Sequence, residues 1–134
     1  MCRLFILLVF YLATTINNGN GQFAFQKMPA KIQLSSVNAI AFSDVNGDGI
    51  ADIVLGGNQF GFLPQFERLD ASFGDVLLSD GKGHFTVMDN RRSGLHLTGE
   101  IRDICQLQVM NNLCLLFLQN NDKPVLYKQN ATYK

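Results

Sequence analysis

Asp44-Val45-Asn46-Gly47-Asp48-Gly49-Ile50-Ala51-Asp52 reads D-x-N-x-D-G-x-x-D, set between Ala39-Ile40-Ala41-Phe42 and Ile53-Val54-Leu55. Oxygen-bearing side chains stand at loop positions 1, 3, 5 and 9, and Gly49 holds position 6. A hard cation such as Ca2+ takes about six to eight oxygens at about 2.3–2.6 Å, and alternating acidic residues on a tight loop aim several oxygens at one centre. The expected calcium ligands are the side chains of Asp44, Asn46, Asp48 and Asp52, joined by the backbone carbonyl of Ile50. Mg2+ suits such a loop less well, because it prefers to keep its waters. An EF-hand is excluded, since position 12 is Leu55 and both flanks read as strands rather than helices. The metal-free alternative is an Asx-rich turn, for Asn-Gly and Asp-Gly are hairpin signals by themselves. Against it, the carboxylates of Asp44, Asp48 and Asp52 would repel one another without a cation.

Outward from the loop, strand signals recur and helix signals do not. Apolar or alternating stretches run over Phe23-Ala24-Phe25-Gln26, 37–42, 53–55, 75–79, 84–88, 101–109, 113–119 and 125–127. Turn clusters separate them: Asn17-Asn18-Gly19-Asn20-Gly21, Asn46-Gly47-Asp48-Gly49, Gly56-Gly57-Asn58 and Asp80-Gly81-Lys82-Gly83. Many short strands between such turns predict an all-β fold. The chain also repeats itself. Asn17-Asn18-Gly19-Asn20-Gly21-Gln22-Phe23 and Ser79-Asp80-Gly81-Lys82-Gly83-His84-Phe85 share a pattern at an offset of 62 residues. The predicted fold is therefore about two four-stranded antiparallel blades of a β-propeller, with Phe60 to Phe73 as an insertion that is either a packed surface loop or a binding loop. In the second copy the offset puts Gln106, Gln108, Met110 and Cys114 where the first has Asp44, Asn46, Asp48 and Asp52, so one calcium site is expected and not two.

The N-terminus divides from the rest. After Met1-Cys2-Arg3, ten apolar residues run from Leu4 to Ala13, the shape of a signal peptide's core but too short to span a bilayer. Residues 1–15 are read as an apolar leader, signal-peptide-like or the remnant of a preceding blade strand, and 16–134 as the two repeats. Two blades cannot close a propeller, which takes about four to eight, so the chain is read as a C-terminal fragment of a longer protein. Standing alone it would expose long strand edges and should associate.

Composition bounds the function. Across 134 residues, 11 basic and 11 acidic side chains cancel, and the pI is near 6.7, so no footprint for nucleic acid is present. At 47% hydrophobic and 16% charged residues the chain is no candidate for disorder. The cysteines Cys2, Cys105 and Cys114 show no zinc spacing, and the last two are read as buried free thiols beside a hairpin turn. No G-x-S-x-G or H-E-x-x-H occurs; His84 reads as a solvated turn residue and His96 as a strand residue. No basic patch, aromatic platform or apolar groove stands out in the linear sequence.

The loop 44–52 with its flanking strands and the x-[ND]-G-x-G-x-F hairpins resembles the FG-GAP or VCBS repeat of calcium-binding β-propellers, as in the integrin α-chain head. The stretch from Asn17 to Lys128 is similar to the C-terminal repeats of secreted bacterial VCBS-repeat proteins of the ASPIC/UnbV-associated group. Asp44 to Asn58, Arg68-Leu69-Asp70-Ala71-Ser72, Leu77 to Gly83 and Arg102-Asp103-Ile104 carry that likeness. The resemblance implies a propeller of about seven blades, exported to the cell envelope or beyond, without enzymatic activity. Its calcium ions, held here by Asp44, Asn46, Asp48, Asp52 and the Ile50 carbonyl, would fix the loops of a scaffold for protein or glycan partners. The missing blades are a further candidate partner, and no membrane span is expected. The competing readings are a hydrolase using the acidic loop and a small self-associating secreted domain.

Overall fold

The computed structural model describes residues 3–8, 11–61 and 68–130. Cys2 and the insertion residues Phe62, Phe66 and Glu67 lie outside them. The described chain is all-β. Its strands are β1 (Arg3–Leu8), β2 (Tyr11–Asn17), β3 (Phe23–Lys27), β4 (Val37–Ser43) and β5 (Asp52–Gly57), with a 3-10 turn at Ala30–Leu34. β6 (Asp75–Ser79), β7 (Phe85–Val87), the single-turn α1 (Asn90–Ser93), β8 (Ile101–Val109), β9 (Asn112–Gln119) and β10 (Val125–Lys128) follow. Every pairing is between antiparallel neighbours, and three sheets result: β1-β2-β3, β4-β5-β6-β7 and β10-β9-β8. One sheet thus has four strands and two have three, where the sequence predicts about two sheets of four. β2 crosses the expected boundary between residues 15 and 16 and pairs with β3 from Ala13↔Lys27 to Asn17↔Phe23.

The central sheet is covered on both faces, which explains its sequence. Side chains alternate across a strand, and β5 is buried at every position. Ile53 and Leu55, with Leu77 of β6, face Leu12, Met28 and Ile32 from the first sheet and its following turn. Val54, with Ala39, Ala41 and Val76, faces Ile101, Ile104 and Phe117 of the third. A strand buried on both sides reads as a continuous apolar run rather than an alternation. The approach to the third sheet is close at Gly56, where a Cβ would overlap the Ile101 side chain.

The repeat is visible in hydrogen bonds as well as letters. In the β2–β3 turn Asn18 N–H donates to Gln22 O at 3.0 Å, and in the β6–β7 turn Asp80 N–H donates to His84 O at 3.2 Å. The glycines of the two turns all take positive φ. The offset thus maps β2–β5 onto β6–β9.

Candidate functional site: the acidic β4–β5 loop

Asp44 follows the last residue of β4 and Asp52 opens β5, so the acidic segment is the connection between two strands of the central sheet. Its winding is local chemistry. Gly47 and Gly49 sit at φ 78° and 82°, where an L side chain is strained. Asp44 Oδ1 accepts from the N–H groups of Gly47 (2.7 Å) and Asp48 (3.1 Å), and its Oδ2 from Gly49 (2.8 Å). Asn46 Oδ1 also accepts from Asp48 N–H at 3.1 Å, and Asp48 Oδ1 from Ile50 N–H at 2.7 Å. Asn46 Nδ2 donates to Asp48 Oδ2 at 2.8 Å. Asp48 is thereby held at the exposed tip of the loop, with Asp44 and Asn46 half-buried beside it.

Asp52 is placed differently. It is fully buried, its Oδ2 accepting from Val45 N–H at 3.0 Å and its Oδ1 from Ser79 N–H at 2.9 Å. One carboxylate thus ties the start of the loop to the end of β6. Burial pushes the Asp52 carboxyl above its ordinary value, the nearby charge of Asp48 adds to that, and the N–H groups of Ser79 and Val45 pull against it. Ile50 is half-buried and its side chain lies over Gly81 of the β6–β7 turn, so the loop is seated on its neighbour.

Among the described residues, no three His, Cys, Asp or Glu side chains are grouped closely enough to hold a metal as they stand. The donor set nonetheless fits calcium in its chemistry. It offers carboxylate and amide oxygens, with no nitrogen or sulfur ligand. The charge of Asp48 also reaches the buried Asp52, a like-charge contact that a bound cation would relieve. Ligation would require Asn46 Nδ2 to leave Asp48 Oδ2 and Asp52 to share an oxygen that now accepts an N–H.

The second copy holds no acidic loop. β8 runs on to Val109 and meets β9 through a two-residue turn in which Met110 and Asn111 take φ 46° and 63°, values close to a type I′ hairpin. Gln106 and Gln108 fall within β8 and Cys114 within β9, so longer strands replace the loop. Cys105 and Cys114 are free thiols, and the register sets Cys105 opposite Leu116 and Cys114 opposite Leu107. Cys114 is buried as expected, whereas Cys105 is only half-buried. His84 is exposed and its Nδ1 contacts Asp80 Oδ2 at 2.8 Å. His96, expected in a strand, instead lies in the extended link between α1 and β8. There it stacks on Phe73 with ring centroids 5.2 Å apart, and its N–H donates to Tyr127 Oη.

Two contacts at the site have no sequence signal. Ser79 lends its backbone N–H to Asp52, and Gln129 Nε2 donates to the carbonyls of Asp44 (2.5 Å) and Val45 (3.1 Å) from beyond β10. A backbone donor carries no side-chain signature, and a lone glutamine after a strand reads as solvated surface.

Among the described residues, stacked antiparallel sheets in sequential order, joined by tight Gly-rich turns and an acidic loop, define an all-β protein. Within it, residues 36–76 match the FG-GAP repeat family, a β-propeller-like repeat module. The match runs from the residue before β4 into β6 and encloses the whole acidic loop. No curated protein and no solved structure matches the chain.

Proposed function

We propose that the chain is a non-enzymatic, calcium-stabilised propeller repeat module of an exported protein, serving as a scaffold for protein or glycan partners. The observation that carries this reading is the position of the D-x-N-x-D-G-x-x-D loop. It joins β4 to β5 inside the segment that matches the FG-GAP repeat, with Asp52 anchored to β6. A cation there would act on structure, holding Asp44, Asn46 and Asp48 against the buried Asp52 and so fixing the loop to the sheet.

The test is thermal unfolding with EDTA and with calcium in excess. A cation at about 100 times its Kd adds about 2.7 kcal/mol to the folded state by mass action, so the melting temperature should rise clearly on adding calcium. Asp48→Ala should abolish that rise while leaving the EDTA melting temperature nearly unchanged, because Asp48 is exposed. If calcium leaves the wild-type melting temperature where EDTA puts it, the calcium reading is wrong.

A further inference from the structure

We propose that the cleft between the β4–β5 loop, α1 and the end of β10 binds the carboxylate of an anionic sugar, a uronate unit of a polysaccharide. The cleft has a volume of about 370 Å3, within the range of small-ligand sites. Three cationic side chains line it: Arg91 and Arg92 from α1, and Lys128 from β10. The arginine pair on α1 and Lys128 at the end of β10 are far apart in the chain and meet only in the fold, which is why no basic patch shows in the sequence.

The arginines stand on a pinned turn. Asp89 Oδ1 accepts from Arg91 N–H at 2.7 Å, Gly94 closes the turn at φ 70°, and Asn90 Nδ2 donates to Gly74 O at 3.0 Å. Among the described residues, neither the Arg91 nor the Lys128 side chain has a carboxylate partner. A guanidinium matches a planar carboxylate with two parallel N–H donors, so Arg91 can take such a group with Lys128 across the cleft. Ser93 and Asn130 add neutral hydroxyl and amide groups suited to sugar hydroxyls. Leu78 and Met88 contribute apolar surface for the C–H face of a ring. Gln129 holds the wall, its Nε2 bound to the Asp44 and Val45 carbonyls.

This combination selects among anions. Inorganic phosphate would leave the apolar floor unused, and a fatty acid would bury the amides unpaired. Acidic peptides are also held by arginine clusters, which is why one belongs in the test; the polar partners here are side-chain groups around a compact cavity rather than a strand edge. The proposal narrows the glycan arm of the scaffold reading and rests on that reading only in supposing that the chain binds rather than transforms its ligand.

The experiment is calorimetric titration of the full chain with a galacturonate trisaccharide, the neutral galactose trisaccharide and a tetraglutamate peptide. The uronate should bind, more weakly as salt rises, and the neutral sugar should not. Arg91→Gln and Lys128→Ala should each weaken uronate binding about tenfold, the loss of one charge-assisted hydrogen bond. Both residues are exposed, so the melting temperature should hold, and Lys123→Ala, on the β9–β10 turn, should leave affinity unchanged. Failure of the uronate to bind, equal binding of the neutral sugar, tighter binding of tetraglutamate, or wild-type affinity in both variants would each overturn the proposal. Melting with EDTA and with calcium on the same samples reports on the metal separately, so either idea can fail alone.

Discussion

Replacing Asp52 by alanine leaves the N–H groups of Val45 and Ser79 without their acceptor in a buried setting. Each unsatisfied buried group costs about 1–3 kcal/mol, so Asp52→Ala should lose about 2–4 kcal/mol in urea unfolding. EDTA in the buffer keeps any metal contribution out of the comparison. A loss below about 1 kcal/mol, the size of an ordinary point substitution, would show that the carboxylate is no anchor. Asp80 gives a pH prediction of known sign. The hydrogen bond from His84, first among several, lowers its carboxyl to about 2. Its contribution is complete above the unfolded carboxylate range near 3.8 and is lost as pH falls through about 2. Asp80→Asn should therefore flatten the acid limb of the stability curve, and only slightly, because the pair is exposed and screened by salt. Legibility differs between the two residues. The spacing of the acidic residues singles out Asp52, but spacing cannot tell a ligand from a carboxylate that also anchors a neighbouring strand.

Each of the eight stretches read as strands from the sequence, from Phe23 to Tyr127, falls on one of the strands β3 to β10. They were legible because Gly, Asn or Asp turn residues stand near at least one end of each, and because β5 shows the unbroken apolar run of a doubly covered strand. Residues 1–15 read as a leader or as one strand remnant, but their division into β1 and β2 was not legible, since the run from Leu4 to Ala13 carries no turn residue where β1 gives way to β2. The 3-10 turn and α1 were missed for want of length: at five and four residues they are too short to show a period. Contact between sheets was also hidden, and Gly56 tests it. Gly56→Ala should cost about 1–3 kcal/mol by overpacking against Ile101, and Ile101→Ala about 2–5 kcal/mol by leaving a cavity. If the two sheets meet at this point, the double variant should lose less than the sum, because each change relieves the other. Strict additivity in chemical unfolding would place the two residues out of contact.

At the scale of the whole molecule, stacking has a consequence for the outermost sheets. Among the described residues, the central sheet is covered twice and the first and third are each covered once. Phe23 and Phe25 of β3 project from the free face of the first sheet at 56% and 59% exposure. Leu107 and Val109 of β8, Leu118 of β9 and Leu126 of β10 project from the free face of the third. In a repeat protein each unit buries its faces against neighbours, and these two faces are the ones such neighbours would cover. They differ from each other, so contact between copies of this chain should be head to tail, first sheet on third, rather than a twofold contact of like faces. Sedimentation should then show association that grows with concentration. Phe25→Lys and Leu107→Lys should each prevent it alone, since each removes one half of every contact. Mixed together, the two variants should form a one-to-one pair and stop there, because one keeps its third-sheet face and the other its first. A twofold contact would behave otherwise: one of the single variants would still dimerise with itself, and mixing would add nothing.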